Sequence, residues 1–253
     1  MTPLQKTVSD RWLAEQVRLR ETVVVALSGA HAYGFPSPDS DLDLKAIHID
    51  PTRRLLGLRP VSAPIERTEI VEGVELDYSS HELGMVLAGV LKGNGNFIER
   101  ILGHLLVVTS PALAELQPLV QASVSQRVHR HYRGFAHNQR LEADKTHRAK
   151  KVLYVLRTTL TGTHLLRTGQ LVTDVTALAP VYDFDVTELL AAKSHAEKQA
   201  LTDAAYTRAC VEMDRAFVTL DTAVAAATVP PAPPVDAESA LEDWLVGQRA
   251  ARV

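Results

Sequence analysis

A short β-branched run that stops at a glycine constrains the fold of this chain more than any other feature. Residues 22–27 read Thr-Val-Val-Val-Ala-Leu, a composition and length that predict a buried strand. Ser28-Gly29 ends the run abruptly, and a glycine there allows a tight turn whose backbone N–H groups suit phosphate oxygens. We therefore expect the chain to leave a β-sheet at a turn that can bind an anion.

Two aspartates follow this turn at the start of a second predicted strand. Residues 42–49 begin with an alternation of apolar and polar side chains, so Asp41 and Asp43 should share one face of a strand. The ten residues 31–40 between turn and aspartates are rich in proline and serine, and they predict a loop. Neighbouring carboxylates repel each other unless a cation lies between them. A hard dication with oxygen ligands, most simply Mg²⁺, would remove that repulsion and would also bind a triphosphate.

A predicted hairpin further along the chain brings more carboxylates. Residues 66–78 read as two strands joined by a turn at 71–73, and the second strand alternates cleanly from Val74 to Tyr78. Glu75 and Asp77 lie two residues apart in that strand, so their side chains should point to the same face.

The remainder of the chain is mostly helical in pattern. The fold class we predict is α+β, with a small mixed β-sheet core and its helices followed by a helical C-terminal domain. We place the first domain at 1–108, the helical domain at 109–228, and a proline-rich linker with a tail helix at 229–253. The sequence leaves open whether that tail docks on the protein or is disordered.

Composition and charge exclude several classes of protein. The apolar fraction of 46% is ordinary for a soluble protein, and Cys210, the only cysteine, allows neither an internal disulfide nor a cysteine-based zinc site. No apolar run has membrane-spanning length, so we expect a cytoplasmic protein with no membrane partner. The net charge of −3 argues against a protein that coats nucleic acid, but residues 127–157 hold nine Lys and Arg against two acids.

These motifs resemble the DNA polymerase β nucleotidyltransferase superfamily, whose signature is a Gly-Ser or Gly-Gly turn, an Asp-x-Asp strand and a third carboxylate on a later strand. Within it, the chain is most similar to predicted nucleotidyltransferases found beside RNA ligases, over residues 20–180. The shared segments are, in chain order, Gly29-Ala-His-Ala-Tyr-Gly34, Ser40-Asp-Leu-Asp43, Gly93-Asn-Gly-Asn-Phe-Ile-Glu99 and Lys150-Lys-Val-Leu-Tyr-Val-Leu-Arg157.

The resemblance implies a reaction and a catalytic set. A nucleoside monophosphate, with ATP as the expected NTP donor, would move onto a hydroxyl at a two-metal Mg²⁺ site in the domain at 1–108. Asp41 and Asp43 would hold the metal that binds the triphosphate, and Asp77 would complete the second metal position. Glu75 is the rival third carboxylate, but the spacing to the next predicted helix, which begins at His81, favours Asp77.

The resemblance also implies contacts to the nucleotide, in the turn, the loop, the second strand and the basic helix. They are Gly29, Ala30, His31, Tyr33, Ser40, Lys45, Lys150, Lys151 and Arg157. Ala30 departs from the pattern because the family carries serine there, and a hydroxyl bonded to a phosphate is worth about 1.5–3 kcal/mol. Lys45 has two interpretations, as a phosphate contact or as a cation that balances the aspartates. Tyr33 and Gly34 should shape the turn, with Gly34 in an unusual backbone conformation.

The acceptor of the nucleotide stays open at this point. An RNA 3′ end, a protein side chain (as in antitoxins that adenylylate a toxin) and a small molecule such as an aminoglycoside all fit the same three aspartates. The basic residues from 127 to 157 favour RNA. A non-catalytic sensor of nucleotide or RNA is the rival class.

Overall fold

Contacts within the chain define two units, and each is described by itself. The first, the sheet unit, comprises Met1–Ala32, Pro38–Ser123 and Pro233–Val253; the second, the helical unit, comprises Tyr33–Ser37 and Val124–Ala232. In this computed structural model the described residues are 1–37, 40–58, 63–195 and 199–253.

The sheet unit contains five strands. They are β1 (Glu21–Leu27), β2 (Leu42–Ile49), β3 (Ile65–Val71), β4 (Val74–Glu82) and β5 (Leu106–Thr109). Their order across the sheet is β3-β4-β2-β1-β5, with β2 parallel to β4 and the other neighbours antiparallel. The first four strands lie where the sequence predicts them, although β4 continues to Glu82, past the predicted helix start at His81. The predicted fold class, α+β with a small mixed sheet, is confirmed.

Helices make up most of the described residues outside the sheet. They are α1 (Pro3–Leu19), α2 (Gly29–Ala32), α3 (Thr52–Leu55), α4 (Leu83–Leu91), α5 (Gly95–Leu102), α6 (Pro111–Ser123), α7 (Val128–Thr146), α8 (Ala149–Thr168), α9 (Val175–Leu178), α10 (Thr187–His195), α11 (Asp203–Ala223) and α12 (Val235–Ala250), with a 3-10 turn at Pro180–Tyr182. None of the helices in the described part of the chain is both long and apolar enough to cross a membrane.

One face of the sheet and helix α1 together form a hydrophobic core within the sheet unit. Alternate residues of each strand supply this face, since they point to the same side. Trp12 of α1 packs edge-on against Tyr78 of β4, with ring centroids 5.1 Å apart. Helix α1 is held at its start by Thr2, whose side chain accepts a hydrogen bond from Gln5 N in a reciprocal capping box. The buried residues of this core are Val8, Trp12, Leu13, Val25, Leu27, Leu42, Leu44, Ala46, Val74, Leu76 and Tyr78.

The tail helix α12 packs within the sheet unit, against α6 and α4. Trp244 Nε1 donates to Glu115 Oε2 at 2.9 Å, and the Arg249 guanidinium lies 3.3 Å from Glu82 Oε2. Of the two alternatives for the tail, the structure therefore has the docked one. Helix α6, which follows the predicted domain boundary at 108, also packs within the sheet unit, on α5.

In the helical unit, helices α7, α8 and α11 pack on one another, and the segment Tyr33–Ser37 contacts α8 through its aromatic rings. The Tyr33 carbonyl accepts a hydrogen bond from Val175 N at 3.0 Å, and Lys193 Nζ donates to Ser37 Oγ at 2.6 Å. Gly34 has a φ of +88°, and a Cβ at this position would lie 1.9 Å from Asp174 Oδ1. The unusual backbone conformation predicted for Gly34 is confirmed.

Candidate active site

Asp43 and Asp77 lie on the sheet face opposite the one that packs on α1. Asp43 of β2 is the register partner of Asp77 in the parallel strand β4, and Lys45 is the partner of Ser79. Asp41 lies immediately before β2, two residues from Asp43. Because β2 is a central strand between β1 and β4, this polar face lies in the middle of the sheet.

The register distinguishes the two candidates for the third carboxylate. Pairing between β2 and β4 begins at Leu42 with Leu76, so Asp77 lies beside Asp43, whereas Glu75 precedes the paired stretch and is exposed. The geometry therefore favours Asp77, and its role in metal binding stays a prediction. No three His, Cys, Asp or Glu side chains among the described residues come close enough together to share one metal ion.

Asp43 is a half-buried carboxylate with two acidic neighbours. Its side chain is 21% exposed. Burial raises the pKa of Asp43 to about 6, Lys45 opposes that rise, and the charges of Asp41 and Asp77 add to it. The ionised form of Asp43 is therefore less favourable in the folded protein than in an unfolded chain.

Lys45 bridges the two strands on this face. Its Nζ lies 3.0 Å from Asp77 Oδ2 and 3.4 Å from Asp43 Oδ1, and its side chain is 19% exposed. This geometry matches the interpretation of Lys45 as the cation that balances the aspartates. A contact from Lys45 to phosphate stays a prediction.

Gly29 is required at its position by both its backbone conformation and its neighbour. Its φ is +64°, and a Cβ there would lie only 1.8 Å from Asp43 Oδ2. The adjacent Ser28 N donates to the Asp43 carbonyl at 2.8 Å, which fixes the turn on β2. The turn and the Asp-x-Asp strand, which are separated in sequence by the ten residues 31–40, are therefore in direct contact.

The side chains around the turn are less accessible than the sequence suggests. Ala30 and Ser40 are buried, and the Ser40 carbonyl accepts a hydrogen bond from Gln5 Nε2 at 2.9 Å. His31 is half-buried. Sequence reasoning missed Ser28, whose half-buried side chain places a hydroxyl at the turn in a chain that lacks the serine expected at Ala30. The feature of the sequence that could have pointed to Ser28 is its position directly before Gly29.

The other predicted nucleotide contacts belong to the helical unit. Arg157 is 1% exposed, and its guanidinium lies 3.5 Å from the centroid of the Tyr33 ring, which is itself buried. Lys150 and Lys151 are half-buried on α8, and Lys151 Nζ lies 3.4 Å from Gln139 Oε1. Nucleotide contacts by these four residues stay predictions.

Much of the basic stretch on α7 is paired with acids of α11. Arg140 lies 2.7 Å from Asp214, and Arg133 lies 3.0 Å from Asp221. Arg140 also contacts Asp144 of its own helix at 2.9 Å. The excess of positive charge read from the sequence is therefore reduced by acids that are distant in sequence.

A second polar group lies further along the same sheet face as Asp77. Arg100 Nη1 donates to His81 Nδ1 at 2.7 Å, and its guanidinium lies over the Phe97 ring. Burial lowers the pKa of His81 to about 4, and the positive charges of Arg100, His48 and Lys45 act in the same direction. The folded protein therefore keeps His81 neutral at pH values where an unfolded histidine is protonated.

This lowered pKa predicts acid sensitivity. As pH falls from 6.5 towards 4, the unfolded chain takes up a proton at His81 that the folded chain does not, so the free energy of unfolding falls. Because His81 is only about half buried, we expect a loss of about 1 kcal/mol. Urea unfolding at pH 7.5 and 4.5 should show a smaller loss for His81→Gln, which retains an acceptor for Arg100. His104→Gln, at an exposed position of the same unit, should behave as the wild type does. Equal acid sensitivity in all three proteins would contradict this assignment.

Comparison with known proteins identifies the family of this chain. An uncharacterized protein of Methanocaldococcus jannaschii is 28% identical over 181 residues, which cover 69% of this chain and 73% of that protein. A nucleotidyltransferase-like protein from Exiguobacterium sibiricum 255-15 is similar over 98% of this chain and 80% of its own, with 12% identity and a TM-score of 0.36, too low to bear on the fold or the site. The model of the RNA repair pathway DNA polymerase beta family, RlaP, matches residues 8–246. Because that match spans most of the chain, this protein belongs to the RNA repair pathway DNA polymerase beta family.

Proposed function

We propose that this protein is a Mg²⁺-dependent nucleotidyltransferase that moves AMP from ATP onto a hydroxyl of RNA. The observation that carries the proposal is the pairing of Asp43 with Asp77 on parallel strands, with the turn at Gly29 directly against Asp43. Membership of a polymerase β family supports the class of reaction.

Asp41 and Asp43 are the residues that would hold Mg²⁺. Carboxylate oxygens are the ligands that this ion prefers, and a cation beside Asp43 would offset the burial and repulsion that raise its pKa to about 6. When bound, the ion would neutralise the triphosphate and stabilise the oxygen that leaves.

Groups of the protein itself would bind the phosphates and take up the proton of the acceptor hydroxyl. Backbone N–H groups of the turn at Gly29 bind the phosphates, and Asp77 accepts a hydrogen bond from the acceptor hydroxyl and takes its proton. The hydroxyl oxygen then forms a bond to the α-phosphorus while the bond from that phosphorus to its bridging oxygen breaks. Pyrophosphate leaves, and AMP is joined to the acceptor.

RNA as the acceptor is supported by the family's description, which names an RNA repair pathway. The basic stretch on α7 gives less support than its sequence suggests, because Arg133 and Arg140 are engaged by acids of α11. The proposal of an RNA acceptor therefore rests on the family's description.

The test is transfer of label from each of the four α-³²P-labelled NTPs to RNA in the presence of Mg²⁺. We expect ATP to give labelled RNA together with pyrophosphate. The label should be sensitive to RNase and resistant to protease. An RNA that ends in a 2′,3′-dideoxynucleotide is the matched acceptor control and should stay unlabelled if the terminal hydroxyl is the acceptor.

Other outcomes would assign other functions. Label that is sensitive to protease, in a cell lysate, would mean a protein acceptor, as for an adenylylating antitoxin. Measurable binding of nucleotide with no pyrophosphate formed from any acceptor would mean a sensor without catalysis. Either result would overturn RNA transfer.

A further inference from the structure

The Lys45 side chain bridges two carboxylates of the predicted catalytic set. Its ammonium lies between Asp43 Oδ1, at 3.4 Å, and Asp77 Oδ2, at 3.0 Å. These are the two carboxylates between which a second divalent ion would bind if Asp77 completed a two-metal site.

The position of Lys45 does not fit an ordinary surface lysine. It is part of β2, which has a neighbouring strand on each side, and its side chain is 19% exposed. Lysines are rarely buried unless they are paired, and this one has a carboxylate partner on its own strand and another on β4.

We propose that the Lys45 ammonium takes the place of the second divalent ion, so that the site works with one Mg²⁺, held by Asp41 and Asp43. This inference rests on the proposed function, because it assigns charges within the same site. Lys45 supplies a fixed positive charge on the Asp77 side, where the acceptor hydroxyl attacks. A tethered cation there orients Asp77 without an ion that has to be recruited from solution.

The proposal predicts how many metal ions each variant binds. With Mn²⁺ as the probe and one equivalent of α,β-methylene-ATP, which cannot react, the wild type should bind one ion per protein. Lys45→Met removes the charge with little change in volume, so it should open the second position and bind two ions. Electron paramagnetic resonance would then show an exchange-coupled pair of Mn²⁺ ions that the wild type lacks.

Two further variants serve as matched controls. Lys45→Arg keeps the charge and should bind one ion. Lys45→Met combined with Asp77→Asn removes a ligand of the opened position and should return the count to one. Lys45→Gln serves as a second uncharged variant if the methionine variant does not fold, as judged by circular dichroism.

The outcomes separate this inference from the proposed function. A wild type that binds two coupled ions, or a folded uncharged variant that still binds one, would overturn the role of Lys45 and leave the nucleotidyltransferase proposal standing. A wild type that binds no Mn²⁺ even with the nucleotide would overturn both. One ion in the wild type and two in the uncharged variant would establish the one-metal site.

Discussion

Asp43→Asn should abolish nucleotide transfer while making the metal-free protein more stable. We expect a loss of at least about a thousandfold in activity, or about 4 kcal/mol, because the variant loses a carboxylate that would hold Mg²⁺, and with the ion the neutralisation of the triphosphate. Burial and the neighbouring Asp41 and Asp77 disfavour the ionised Asp43 in the folded state. Removing that charge should raise the free energy of unfolding at pH 7.5 by about 1–3 kcal/mol.

Transfer activity and thermal stability should be measured on the same samples of Asp43→Asn and the wild type. Thermal unfolding without metal should show a higher midpoint for Asp43→Asn than for the wild type. Addition of Mg²⁺ with α,β-methylene-ATP should then raise the wild-type midpoint and leave that of the variant unchanged, because only the wild type binds the ion. If Asp43→Asn retained transfer activity, the metal assignment would be wrong. If it lost activity by unfolding, the prediction that the charge of Asp43 destabilises the metal-free protein would be wrong.

Local sequence patterns were sufficient to predict the part of the fold that carries the site. The β-branched run of β1, the alternation in β2 and the Glu72-Gly73 turn of the β3–β4 hairpin are each determined by neighbouring residues. Gly29 and Gly34 were assigned from sequence to turns, and both have positive φ. For these elements, local chemistry and the final structure agree.

The remaining features depend on residues that are distant in sequence. Strand β5 was missed because four residues are too few for a periodic pattern, and its pairing with β1 comes only from the folded chain. The pairing of Arg140 with Asp214 could not be read from α7 alone. Nor could the register of β2 on β4, since a shift by one residue would have turned Asp77 to the opposite face.

This dependence explains why the carboxylate set was easier to name than its charge balance. Asp41 and Asp43 come from one short motif, and alternation in β4 leaves only Glu75 and Asp77 as candidates for the third carboxylate, between which the register decides. The contact of Lys45 with Asp77 requires the parallel register, which places residues of β2 and β4 side by side. A motif therefore identifies the acidic residues of the candidate site, whereas their charge balance depends on the register between the two strands.

Gly29→Ala should inactivate the protein because its Cβ would collide with Asp43. Gly73, which also has a positive φ, is the matched control for backbone strain. Gly29 and Gly73 both have positive φ, at +64° and +79°, so alanine costs about 1–2 kcal/mol of conformational energy at either position. A Cβ at Gly73 meets nothing within 4 Å, whereas at Gly29 it would overlap Asp43 Oδ2. Gly73→Ala should therefore be modestly less stable with unchanged transfer.

In Gly29→Ala the Asp43 carboxylate has to move, and its contact with the turn is lost together with the geometry for Mg²⁺. We expect transfer to fall at least about a hundredfold, since a displacement near 1 Å at a reacting centre costs about that much. Activity and urea unfolding of both variants, with Mn²⁺ binding as a third measurement, distinguish the effects. Equal activity in Gly29→Ala and Gly73→Ala would mean that the turn has no part in the site. A selective loss of Mn²⁺ binding and transfer in Gly29→Ala alone would show that the turn positions Asp43, as expected from a Cβ that would lie only 1.8 Å from Asp43 Oδ2.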